Sequence, residues 1–131
     1  MDRTRREQLV RDTFASWNGG SLDVTRFTHP EGRVQSGLTN ETYEGHAGLE
    51  RWMAEIYDQF DRWELRVEEF HDLAPDGLVA IGSISMRGRA SGVELEQPLV
   101  WLFRFRDDVI FEMAAYPDRD EGLAAAGLAG G

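Results

Sequence analysis

The chain reads as a single α+β domain in which a curved, mostly antiparallel sheet wraps around N-terminal helices and encloses an internal pocket. Three observations predict this. Helical periodicity dominates the first sixty residues, strand-like runs fill residues 62–116, and those strands are long for a chain of 131 residues. Helices first and antiparallel strands after is the α+β order.

Thr4 and Glu7 form a capping-box pattern at the head of the first helix. Leu9, Val10, Thr13, Phe14 and Trp17 recur at helical spacing, and Asn18-Gly19-Gly20 stops them. Ser21 is expected to cap a short second helix carrying Leu22, Val24 and Phe27, which ends before Pro30. A short strand is expected around Arg33–Ser36. The clearest helix follows Gly45, where Leu49, Trp52, Met53, Ile56, Tyr57 and Phe60 make one stripe.

After Asp61 the period drops to two. Runs near 62–72, 78–89, 93–105 and 109–116 are rich in Val, Ile, Phe and Trp. Turn residues at Pro75-Asp76-Gly77, Ser91-Gly92 and Asp107-Asp108 separate them. Asp118 can cap a last helical turn through Leu123–Leu128. Residues 1–128 then make one domain and 129–131 a frayed tail.

The last hairpin carries more. With Arg106-Asp107-Asp108 as a three-residue bulged turn, Trp101, Phe103, Phe111, Met113 and Ala115 share one face. Val100, Leu102, Ile110, Ala114 and Tyr116 share the other, with Arg104 and Glu112 as a diagonal pair. Both faces are apolar, and one helical layer covers only one. A homodimer through the convex sheet face is therefore expected.

Composition narrows the function. A 41% hydrophobic chain with four Trp and seven Phe has a real core. No cysteine means no disulfide, thiolate zinc site or cysteine nucleophile. All 14 basic residues are arginine, so Schiff-base lysines and Walker-type phosphate loops are excluded. A net charge of −10 opposes nucleic acid and anionic membranes as partners. The charged start leads into no apolar run of signal-peptide length, and a cytoplasmic protein is expected.

In order and spacing, several segments carry a family likeness. They are the opening helix to Trp17, His29-Pro30-Glu31, Tyr43-Glu44-Gly45-His46, Ser91-Gly92-Val93, the strand Leu102 to Asp108, the Tyr116 strand and Gly122-Leu123. Over nearly its whole length the chain resembles the SnoaL-like branch of the nuclear transport factor 2-like superfamily, which includes ketosteroid isomerases and polyketide cyclases. The resemblance implies a cone-shaped barrel with a deep pocket, usually in dimers. It does not imply one reaction, because the fold hosts isomerases, cyclases, hydrolases, dehydratases and plain binding domains.

Ketosteroid isomerase relatives use an aspartate base with a tyrosine and a protonated aspartate as oxyanion hole. By the resemblance the base falls at about Ser36, preceded by Gln35, the acid at about Trp101, and the tyrosine near Thr13. All three roles look vacant. Epoxide-hydrolase relatives need two carboxylates and an arginine in the pocket. Glu68, Glu69 and Glu112 are candidates, but alternation sends only one of each neighbouring pair inward, and Arg66, Arg87, Arg89 and Arg104 are assigned outward. No His-x-x-x-His spacing occurs. Asp118, Asp120 and Glu121 suit a helix N-terminus, so neither metal nor cofactor is expected.

The expected function is binding or converting a hydrophobic oxygenated small molecule by cofactor-free acid/base chemistry of isomerase, cyclase, dehydratase or hydrolase type. The alternative is a non-catalytic ligand-binding or dimerisation module. His29, His46, Tyr57 and Ser36 are the candidate catalytic residues, His46 as a proton carrier at the cone mouth. Phe14, Trp17, Trp52, Ile56, Trp101, Phe103 and Met113 are the candidate pocket wall, with Gln97 and Tyr43 also near it. A dry cavity of about 300 Å³ would cost roughly 7 kcal/mol, so the pocket is expected to be small, or wetted and occupied.

Overall fold

The computed structural model describes residues 2–21, 23, 25–37 and 41–127. Their elements run α1 (Arg3–Asn18), β1 (Thr28–Gln35), β2 (Thr42–Glu44), α2 (Gly45–Gln59), β3 (Phe60–Leu73), β4 (Gly77–Gly88), β5 (Glu94–Arg106), β6 (Val109–Tyr116) and α3 (Arg119–Ala125). The strands form one curved, unclosed sheet in the order β2-β1-β6-β5-β4-β3. β1 and β6 are parallel, and every other neighbouring pair is antiparallel. Helices α1 and α2 pack into the concave face. Among the described residues no helix is long and apolar enough to cross a membrane.

The first helix starts earlier than its capping-box pattern suggests. Asp2, not Thr4, is the cap, and its Oδ1 accepts from the Arg5 amide at 2.8 Å. A carboxylate at this position also favours the positive end of the helix dipole.

The short helix expected after Ser21 does not form among the described residues. Leu22 and Val24 lie outside them, while Thr25, Arg26 and Phe27 make a turn. Local polar groups take the amides that a helix would need. Ser21 Oγ accepts from Asp23 N at 3.2 Å, and the Asp23 carboxylate accepts from Thr25 N at 3.0 Å and Thr25 Oγ1 at 2.6 Å. The Thr25 hydroxyl holds the Asp23 carboxyl below its usual range. β1 therefore begins at Thr28, five residues before the expected strand, and includes His29 and Pro30. Proline is tolerated because the β1–β6 register shifts between Thr28 and Arg33.

The last hairpin also differs from expectation. Asp107 and Asp108 both have positive φ (53° and 64°), and Arg106 pairs with Val109. The turn is thus a two-residue one of the primed type, matched to the strand twist. The extra residue lies inside β6 instead. Arg104 pairs with Glu112 and Phe105 with Ile110, which leaves Phe111 as the bulge. Ile110 consequently turns into the core. Phe111 turns outward, with Arg106 3.8 Å above its ring and His29 edge-on. Trp101, Phe103, Met113 and Ala115 keep their inward phase. Arg104 and Glu112 face each other directly, not diagonally, and bond elsewhere: Glu112 to Arg33 and Arg104 to the Ala74 carbonyl, both at 3.0 Å.

The second apolar face has a cover from its own chain. Asp118 caps α3, with Oδ1 accepting from Glu121 N at 3.0 Å. Leu123 and Ala126 pack on Leu73, Val79, Ile81 and Val100. Gly122 is the contact point, since an added Cβ would fall 2.5 Å from Val100 Cβ. The premise that this face lies bare along its whole length therefore does not hold. Leu102, Ala114 and Tyr116 remain half-buried at its margin.

β3 is an edge strand whose outer amides need partners. Asn18, just at the end of α1, supplies them: Nδ2 donates to Leu65 O at 2.8 Å and Oδ1 accepts from Leu65 N at 2.7 Å. This amide acts as a one-residue strand. Asn18→Ala is expected to cost about 1–3 kcal/mol, because it orphans two part-buried backbone groups at once. Urea unfolding checks it, and a change below a few tenths would show that water replaces the amide freely.

Candidate functional site

The concave sheet and helices α1 and α2 leave a cavity of about 30 Å³. Each element delivers its part through its own period. Trp17 comes from the last turn of α1, and Trp52 and Ile56, four apart, from the inner face of α2. Alternating inward positions give Trp63 and Leu65 on β3, Leu99 and Trp101 on β5, and Met113 and Ala115 on β6, with Ile84 from β4. Gln35, Ser36 and Gly37 complete the wall where β1 ends.

All four tryptophans of the chain line this one space. Trp17 and Trp52 meet edge to face at 5.6 Å, and Phe14 backs Trp101 in the same way at 5.0 Å. No described lining residue carries an ionisable side chain. The wall is almost entirely carbon, and a void this small costs under about 1 kcal/mol. It holds little more than one water.

One feature of the aromatic wall is unfavourable. The indole N–H groups of Trp17, Trp52 and Trp63 are buried and reach no hydrogen-bond acceptor among the described residues. Each orphaned donor costs about 1–3 kcal/mol. The Trp63 N–H approaches the Tyr57 oxygen without the geometry of a hydrogen bond.

The expected pocket wall divides in two. Trp17, Trp52, Ile56, Trp101 and Met113 line the cavity, whereas Phe14 and Phe103 pack one shell behind it. Trp63 and Leu65 were absent from the expectation, although their two-residue spacing just past Asp61 is a strand signal. Gln97 does not line the cavity, and Tyr43 donates its hydroxyl to Glu55 Oε2 at 2.6 Å behind α2.

The candidate catalytic residues do not gather. Ser36 lines the cavity and is buried. His29 lies outside it at the hairpin: Nδ1 accepts from Glu31 N at 3.0 Å, so Nε2 carries the proton and donates to Asp107 Oδ2 at 3.0 Å. His46 Nε2 donates to the Thr28 carbonyl at 2.9 Å and ties the start of α2 to β1. His46→Ala is expected to lower stability by about 1 kcal/mol. Thermal unfolding tests it, and no change would remove this structural role.

Tyr57 donates to the Trp17 carbonyl at 3.3 Å. Burial pushes its phenol above the ordinary value, and the Trp63 indole partly offsets the push. The folded state thus holds this proton more tightly than the unfolded chain does. The resulting stability is complete below about pH 10 and is lost as pH rises through the folded-state value. Urea midpoints at pH 9 and 11 are expected to fall further for the unaltered chain than for Tyr57→Phe.

Carboxylates and guanidinium groups stay outside. The bulge between Val67 and Glu69 leaves Glu68 and Glu69 both exposed, so neither turns inward. A larger open groove of about 390 Å³ on the outer sheet face runs between Arg62, Arg66, Arg87 and Glu94, Glu96. Arg66 and Arg87 are already paired there with Glu64 and Asp61. Among the described residues no three His, Asp or Glu side chains gather as metal ligands would.

Known structures share this architecture. A putative SnoaL-like polyketide cyclase from Jannaschia sp. CCS1 is 25% identical, with 98% of this chain and 96% of that one covered at a TM-score of 0.75. A hypothetical protein with a ketosteroid isomerase-like fold from Catenulispora acidiphila DSM 44928, solved with trimethylamine, is 17% identical over 92% of both chains at 0.76. TerC, co-crystallised with polyporic acid, is 18% identical over 95% of this chain and 97% of its own at 0.76. No curated protein sequence matches the chain. Residues 10–113 match the SnoaL-like domain model, most of the chain, from within α1 through all of α2 to the wall residue Met113. The chain belongs to the SnoaL-like domain family.

Proposed function

We propose that this chain binds a hydrophobic, oxygen-bearing small molecule between α1, α2 and the concave sheet, with no acid/base step and no cofactor. One observation carries the reading: four tryptophans line one cavity that no described ionisable side chain enters. General acid or base work needs a group that changes protonation within reach of the ligand. Among the described lining residues the only hydroxyl is that of Ser36, and none is a carboxylate or an imidazole, so conversion is the second reading. Structural neighbours crystallised with trimethylamine and with polyporic acid support small-molecule binding in this fold.

Intrinsic fluorescence tests the proposal directly, because every tryptophan reports on the cavity. Titration with terpenoid and aromatic ketones is expected to shift the emission and raise the melting temperature. Ligand at a hundredfold its Kd stabilises by about 2.7 kcal/mol. If no member of such a panel moves either signal, the binding reading fails. A homodimer through the convex face accompanies this reading and rests on the half-buried margin of Leu102, Ala114 and Tyr116. Sedimentation equilibrium is expected to give a dimer for the unaltered chain and a monomer for Tyr116→Arg. A monomer in both rejects it.

A further inference from the structure

The same cavity has a chemical polarity that its carbon surface conceals. Trp17 and Trp52 each bring a buried N–H with no protein acceptor among the described residues, Trp63 directs its own toward the Tyr57 oxygen, and no described lining side chain is a carboxylate. Aromatic faces alone would suit an organic cation. A desolvated cation with no counter-charge is nevertheless expensive, and unpartnered N–H donors repel it. An acceptor atom has the opposite balance, since it relieves groups that already lack partners.

We propose that the indole N–H groups of Trp17 and Trp52 form a donor-only anchor that selects neutral ring compounds bearing a carbonyl oxygen. The inference rests on the ligand-binding reading above and deepens it. A cavity of about 30 Å³ is too small for such a ring, so entry must turn the edge-to-face pair of Trp17 and Trp52, 5.6 Å apart. Turning brings the buried N–H edges to the incoming oxygen. The carbonyl accepts, the ring packs against the indole faces, and no proton is transferred. Selection works by chemistry more than by shape: a hydrocarbon of the same outline leaves the donors orphaned, and an ammonium adds a buried charge.

Three probes of one frame separate these cases: indane, 1-indanone and 2-aminoindane, the last cationic at neutral pH. Calorimetric titration of the unaltered chain gives their affinities, and ¹⁵N-edited NMR follows the four indole N–H signals. The expected result is 1-indanone binding about tenfold more tightly than indane, although the ketone is the more water-soluble. At least two indole protons should move downfield with the ketone and not with the hydrocarbon. Trp17→Phe and Trp52→Phe, which keep a ring and lose a donor, should shrink the preference. Equal or tighter binding of indane with unmoved indole signals overturns the anchor while leaving the binding reading intact. Preferred binding of 2-aminoindane overturns it in favour of a cation cage. If none of the three binds, the anchor falls, and the fluorescence panel decides the binding reading separately.

Discussion

Trp101→Ala is expected to cost about 3–5 kcal/mol, a large share of the roughly 5–15 kcal/mol that holds a domain of this kind. Trp101 is 2% exposed and meets Phe14 edge to face at 5.0 Å. Its neighbours across the sheet are Ala80 on β4 and Ala115 on β6. Two alanines cannot swell into the space that the indole leaves, so the site collapses poorly and the cost lies toward the upper end of the range. Urea unfolding measures it. The new hollow joins the existing cavity, so added indole should raise the melting temperature of the variant more than that of the unaltered chain. A loss below about 1 kcal/mol would mean that the wall closes without Trp101 and that the cavity is not built around it.

Gly82→Ala acts on the sheet itself. A Cβ at Gly82 would lie 1.8 Å from the Arg66 carbonyl oxygen, 2.8 Å from its carbon and 3.0 Å from Val67 Cα. All three are backbone atoms, so no side chain can swing aside. β3 would have to lift from β4 next to the bulge between Val67 and Glu69, which carries Leu65 and Trp63 away from the cavity. The expected loss is at or beyond the upper end of the usual overpacking range of about 1–3 kcal/mol. Gly92→Ala is the control: its φ of 69° strains an alanine, but nothing lies within 4 Å, so about 1–2 kcal/mol is expected. Equal losses for the two variants would show that backbone conformation, not the close strand approach, governs Gly82.

Much of this architecture is legible along the chain. The stripe Leu49, Trp52, Met53 and Ile56 is buried in α2 as its spacing implies, because a helix face depends only on neighbours within two turns. Asp118 caps α3 for an equally local reason. Trp17, Trp52, Trp101 and Met113 reach the cavity from elements whose phase the sequence carries. Failures concentrate where one residue changes a strand's phase. Moving the extra residue from the turn to Phe111 exchanged Phe111 with Ile110, and the bulge after Val67 put Glu68 and Glu69 on the same exposed side. Bulges answer to the partner strand, which local periodicity does not contain.

The sequence by itself determined the helix faces, the turn positions, the absence of cysteine and lysine chemistry, and an aromatic interior. Those properties are set by composition and by contacts a few residues apart. Tertiary structure alone decided that α3 covers part of the second sheet face, and that His29 and His46 stay outside the cavity wall. It also decided that Trp63 completes the ring of tryptophans and that the Trp17 and Trp52 indole donors go unpartnered among the described residues. Each of these depends on register between strands far apart in the chain. A shift of one residue there sends a side chain to the opposite face, and only the packed sheet selects between the two.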